Sequence, residues 1–123
     1  AKDAAQKTFG VWGTGTPLRE FLYVDDLAAA LLLLMETYDG EQHINVGTQQ
    51  EVTIKQLAEL MKKTVGFEGE LVWDTSKPDG TPRKVTDSSK LMALGWRPQV
   101  SLEEGLRRMY AWWRDNGAVA RAA

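Results

Sequence analysis

The hydrophobic positions of this chain change their period several times, and each change marks an element. FGVW (9–12) is a short apolar burst, and the GTGTP that follows breaks it, so a strand and then a turn are predicted. REFLYV (19–24) carries β-prone Phe21, Tyr23 and Val24 and reads as a second short strand. Residues 26–38 are apolar on nearly every helical face, so a helix buried on most sides is predicted there, part of that burial needing a partner outside this chain. Asp25 and Asp26 stand at its start, where a carboxylate accepts from free backbone N–H groups and complements the dipole. HINVG (43–47) reads as a short buried strand.

The second half is more regular. Thr53 and Gln56 have capping-box spacing, and Ile54, Leu57, Ala58, Leu60, Met61 and Val65 form an apolar stripe that ends at Gly66. ELVWD (70–74) is a strand, and SKPDGTPRK (76–84) is loop. DSSKLMALGW (87–96) reads as a short helix with Asp87 or Ser88 as cap and Gly95 as stop. Ser101 and Glu104 repeat the capping-box spacing and open a helix with Leu102, Leu106, Met109 and Trp113 along one side. Residues 117–123 are expected to fray. The opening AKDAAQKTFG reads as the tail of a helix, as though the chain began inside something larger. The order is mixed α/β in one unit, residues 1–123, without the regular alternation of a complete doubly wound domain.

Composition narrows the chemistry. The net charge of -2 gives no overall basic field for nucleic acid, so an anion site must be local. The chain has no cysteine, which excludes disulfides, thiolate metal sites and a cysteine nucleophile within it. A cytoplasmic location is expected and is compatible with that. The run LAAALLLLM (27–35) is too short to cross a bilayer, so no membrane role is expected.

No catalytic constellation emerges. His43, the single histidine, reads as a hydrogen-bonded structural residue at a strand edge. Helix capping accounts for Asp25 and Asp26 better than catalysis does. No cluster of hard ligands suggests a metal. WGTGTP lacks the third glycine and the following helix of a dinucleotide fingerprint, so cofactor binding there is rejected.

What remains is a set of cations beside glycines, prolines and aromatics. Arg19 follows WGTGTPL, and Lys77, Arg83 and Lys84 lie in the loop. Arginine offers a planar fork matching phosphate oxygens, lysine adds a compact charge, and Pro and Gly restrict the loop. A diphosphate is the natural ligand for two such centres, with Trp12 against a base or sugar. The alternative is solvated surface charge and a core tryptophan.

The segments VWGTGTPLREFLYVDDLAAALLLLME, HINVGT, the stretch from TIKQLAELMKK to SKPDGTPRKVTDSSKLMALGW, and SLEEGLRRMYAWW closely resemble the C-terminal part of the GDP-L-fucose synthase family. These are extended short-chain dehydrogenase/reductases acting on nucleotide sugars. The likeness runs from Val11 to Trp113, and SKPDGTPRK is its most specific part. The resemblance implies the substrate-binding portion of a Rossmann-type fold, with the cofactor-binding part missing. It implies that Arg19 contacts a substrate diphosphate, that Lys84 lies at the nucleotide sugar and that Trp12 lies near the sugar, while Asp79 and Arg83 shape the loop or touch the ligand. It implies a GDP-sugar partner, and NADP and a homodimer for the parent enzyme, with no cofactor bound by this chain alone. The NADP turn, the Tyr-x-x-x-Lys pair and the cysteine and histidine of epimerisation do not occur here, so an inactive binding piece is expected. A free-standing diphosphate-binding module, an interaction domain and a sister epimerase or dehydratase are the competing readings.

Overall fold

The computed structural model describes residues 6–120. Its elements are β1 (Thr8–Trp12), β2 (Leu18–Glu20), α1 (Val24–Thr37), β3 (Glu51–Thr53), α2 (Ile54–Val65), β4 (Glu70–Asp74), β5 (Arg83–Lys84), α3 (Ser89–Ala93) and α4 (Leu102–Ala120). They form two small sheets. β1 pairs with β4 in parallel, Thr8 opposite Glu70 and Trp12 opposite Asp74. β2 is the centre of the other, antiparallel to β3 and parallel to β5.

The α/β expectation and most elements are met, and the departures share a cause. HINVG is not a strand: residues 43–47 carry no regular secondary structure and join no ladder, while Ile44 and Val46 pack on the core. The strand that pairs with β2 is Glu51–Thr53 instead. His43, read as a hydrogen-bonded strand-edge residue, is exposed and has no such bond among the described residues, because there is no ladder beside it. β2 stops at Glu20, so Tyr23 and Val24 belong to the start of α1 rather than to a strand. The loop 76–84 is not wholly loop, since its last two residues form β5. Thr8–Gly10, read as the end of a helix tail, lie in β1, and residues 1–5 of that reading lie outside the described residues. Gly117–Ala120 continue α4, and the rest of the expected frayed tail lies outside the described residues.

Asp26 corrects the capping reading. The N-cap of α1 is Tyr23, which makes no side-chain cap bond. The Asp26 carboxylate is 5% exposed and receives the backbone N–H groups of Gln99 (3.1 Å) and Val100 (2.9 Å). Its backbone carbonyl accepts from Trp96 Nε1 at 3.2 Å. One residue therefore pins the start of α1 to the segment before α4. Beside it lies the core of Ala30, Leu91 and Trp96, with Leu22, Leu33, Leu34 and Met92 packed against it. The other faces of α1 are open: Leu31, Leu32 and Met35 are all more than half exposed. A helix apolar all round but covered on one side has the composition of a buried element.

α2 follows its pattern closely. The Thr53 hydroxyl receives Gln56 N–H at 3.0 Å, the Thr53 N–H donates to the Gln56 side chain at 2.8 Å, and Gly66 closes the helix. Its apolar face and α4 enclose, over β1 and β4, an apolar cavity of about 450 Å³ lined by Leu57, Met61, Phe67, Leu71, Tyr110 and Trp113 among others. The α4 stripe is only partly as expected. Met109 is half exposed, while Tyr110, one position further on, joins Trp113 on the cavity.

The second capping box forms on one side only. Ser101 Oγ receives Glu104 N–H at 3.3 Å, but the Glu104 carboxylate turns to Arg107, two bonds of 2.8 Å, and to Arg108 at 2.7 Å. Those guanidinium bonds, Arg107 first, lower its pKa from 4.5 to about 2. A carboxyl whose folded pKa is depressed stabilises the fold above its unfolded pKa and loses that contribution as pH falls through the folded one. The clamp at the start of α4 is therefore complete above pH 4.5 and is lost towards pH 2. Carboxyl-carbon NMR should follow Glu104 titrating near 2, and a midpoint near 4.5 would contradict the clamp.

Candidate functional site

The sequence turns sharply after Trp12. Gly13 takes φ +84°, a conformation most side chains avoid. The following residues are held on three sides. Gly13 N–H donates to the Asp74 carbonyl at the end of β4 (2.9 Å). The Gly15 and Pro17 carbonyls accept from Lys55 and Ile54 at the start of α2, and Leu18 N–H donates to Pro82. The turn is thus wedged between α2, β4 and the 76–84 loop, and it delivers Arg19 in β2.

Arg19 and Lys84 are directly opposite each other on β2 and β5. Two like charges side by side on a sheet repel. Neither forms an ion pair among the described residues, and Arg19 spends one bond, Nη1 to the Leu18 carbonyl at 2.6 Å. Arg19 is partly buried, and Gly80 is close to its guanidinium: a Cβ added to Gly80 would stand 3.3 Å from Nη2. Trp12, at the end of β1, is 74% exposed, with Lys77 Nζ 5.7 Å from its ring centroid. Trp12 is therefore not part of the core among the described residues, and Arg19 is not a fully solvated charge.

Asp79 and Arg83 are occupied elsewhere. Asp79 receives Thr14 N–H at 2.9 Å and the Thr14 hydroxyl at 2.6 Å, and these bonds, the hydroxyl first, hold its carboxyl below the ordinary range. Arg83 makes a bidentate pair with Glu51, Nη2 to Oε2 at 2.7 Å and Nε to Oε1 at 2.8 Å, which joins β5 to β3 across β2. Sequence reasoning passed over Glu20 and Glu51. Glu20, neighbour of Arg19, receives the N–H groups of Thr86 (2.7 Å) and Gln49 (3.0 Å) and so fixes β2 to both flanking segments. Only its place beside Arg19 in the sequence could have drawn notice to it.

The Gly13–Gly15 turn runs into β2 rather than into a helix, so it does not fit the pyrophosphate of a dinucleotide. Among the described residues no group of three or more His, Asp or Glu could hold a metal, and no helix is long and apolar enough to cross a membrane. The structure thus sets a guanidinium fork and an ammonium side by side on β2 and β5, while the exposed Trp12 ring lies by Lys77.

By sequence and fold, the chain is similar to the extended short-chain dehydrogenase/reductases. Residues 1–47 match the NAD dependent epimerase/dehydratase family. Within that class the chain matches the GDP-L-fucose synthases. It is 63% identical over 111 residues to the "Probable GDP-L-fucose synthase 1" of Oryza sativa subsp. japonica, covering 90% of this chain and 34% of that protein. It is 50% identical over 115 residues to the GDP-L-fucose synthase of Escherichia coli K12, covering 86% and 36%. A crystal structure of a GDP-L-fucose synthetase from Naegleria fowleri bound to NADP superposes with a TM-score of 0.89 at 31% identity, covering 95% of this chain and 37% of that one. The chain thus spans about a third of the length of these relatives.

Proposed function

We propose that this chain is the nucleotide-sugar-binding portion of a GDP-L-fucose synthase and holds the diphosphate of a GDP-sugar. The observation that carries this reading is the cation couple without an ion pair among the described residues, Arg19 beside Lys84, with Gly80 close to the Arg19 guanidinium and Lys77 of the same loop at Trp12. Arg19 grips diphosphate oxygens with its fork, Lys84 adds a second charge, and Trp12 gives a face to the sugar. An anion between Arg19 and Lys84 relieves their repulsion. For the whole enzyme we propose conversion of GDP-4-keto-6-deoxy-D-mannose to GDP-L-fucose by 3,5-epimerisation and NADPH-dependent 4-reduction. The proton- and hydride-transferring groups of that sequence are outside these 123 residues, and this chain binds and orients.

Calorimetric titration of the full chain with GDP, UDP, dTDP and guanosine tests the reading. Binding of GDP in preference to UDP and dTDP, and loss of binding with guanosine, is expected. Equal binding of guanosine and GDP would remove the diphosphate from the argument, and a preference for UDP or dTDP would move the chain to a sister enzyme.

A further inference from the structure

Asp79 is an acidic residue in the middle of a cationic loop. A carboxylate beside a diphosphate site opposes binding by simple Coulomb repulsion. Its geometry gives it a different purpose. Both carboxylate oxygens are taken by one residue of another segment, Thr14, through the backbone N–H and the hydroxyl. The Thr14 hydroxyl is itself 2.7 Å from that of Thr16. The turn is shaped to admit the carboxylate: a Cβ at Gly13 would lie 2.3 Å from Asp79 Oδ1. The next residue, Gly80, is the one that lies close to the Arg19 guanidinium. Two residues further on, the Pro82 carbonyl accepts from Leu18, and β5 then sets Lys84 beside Arg19.

We propose that Asp79 is a positioning residue rather than a ligand contact: it fastens the 76–84 loop to the Thr14 turn and so builds the Arg19–Lys84 site before the anion arrives. This rests on the diphosphate reading above and assigns the order of that site to a single latch. Fixing the loop in advance removes ordering entropy from the binding step, and that gain outweighs the repulsion of one partner-saturated carboxylate. Asparagine at 79 can keep both bonds, accepting from the Thr14 N–H and donating to the Thr14 hydroxyl, without the charge. Alanine keeps neither. Thr14→Val removes the hydroxyl bond and leaves the N–H bond.

The test measures GDP affinity of the full chain by calorimetry, together with amide hydrogen exchange of residues 13–16 and 76–84 in the free protein. Asp79→Ala is expected to weaken GDP about tenfold, Thr14→Val about threefold, and Asp79→Asn less than about threefold, with faster exchange in both segments for Asp79→Ala. The double variant Asp79→Ala/Thr14→Val should be no weaker than Asp79→Ala alone. Undiminished or tighter GDP binding in Asp79→Ala, while Arg19→Ala loses it, overturns the latch alone. Asp79→Asn as weak as Asp79→Ala also overturns it, because the charge and not the bonds would then matter. Unaltered binding in Arg19→Ala overturns the diphosphate reading and the latch with it. Should Asp79→Ala fail to fold, Thr14→Val decides: affinity equal to the unsubstituted chain overturns the proposal.

Discussion

Replacing Arg19 with alanine is expected to weaken GDP binding by about 100- to 10,000-fold, from the loss of two charge-assisted hydrogen bonds of roughly 1.5–3 kcal/mol each. The side chain is partly buried, one nitrogen is anchored on the Leu18 carbonyl, and Gly80 lies close to another. It is therefore aimed before binding, and little ordering cost offsets the bonds it makes. Lys84→Ala should lose only about tenfold, since an exposed ammonium acts as a screened point charge. Arg19→Lys should not restore the affinity, because the fork is what matches two oxygens at once. Calorimetry at low and high salt measures all three. GDP binding in Arg19→Ala within a few-fold of the unsubstituted chain would show that the anion is held elsewhere.

Asp26→Ala is expected to cost about 3 kcal/mol or more of stability, because two backbone N–H groups lose a charged acceptor in a buried place. Gln99 and Val100 both donate to this carboxylate, and the segment they belong to leads into α4. Asp26→Asn is nearly isosteric but should still lose about 2 kcal/mol, since its amide N–H₂ would face one of the two donors. Urea unfolding of the variants gives the numbers. A loss below about 1 kcal/mol for alanine would mean that the 96–100 segment is held by Trp96 packing alone.

These two residues mark how far the sequence can be read. The Thr53–Gln56 box, the Gly66 stop and the α2 face were legible because they all lie within the one stretch from Thr53 to Gly66. The Asp26 role was not, since its acceptor geometry depends on residues 73 and 74 positions away. An aspartate at a helix start has a local explanation that competes with the distant one. The same holds for β3 and β5, which are too short to show a period and exist only because β2 lies between them. HINVG shows the converse: its residues suit a strand, but no neighbour supplies the ladder. At the site, residue types pointed to Arg19, Lys84 and Trp12. The separate employment of Asp79 and Arg83 became visible only with the Thr14 and Glu51 contacts, 65 and 32 positions away.

The parallel pairing of β1 with β4 bears on the order in which the chain becomes competent. Thr8 meets Glu70 only after β2, α1, β3 and α2 have been laid down between them. Loop-closure entropy delays such non-local pairing, whereas α2 carries its own start and stop and can nucleate locally. The Thr14 turn begins directly after β1, and the 76–84 loop begins directly after β4, so the two can be fastened only once that sheet has closed. The Thr14 turn and the loop fastened to it are thus expected to be among the last parts of the molecule to consolidate.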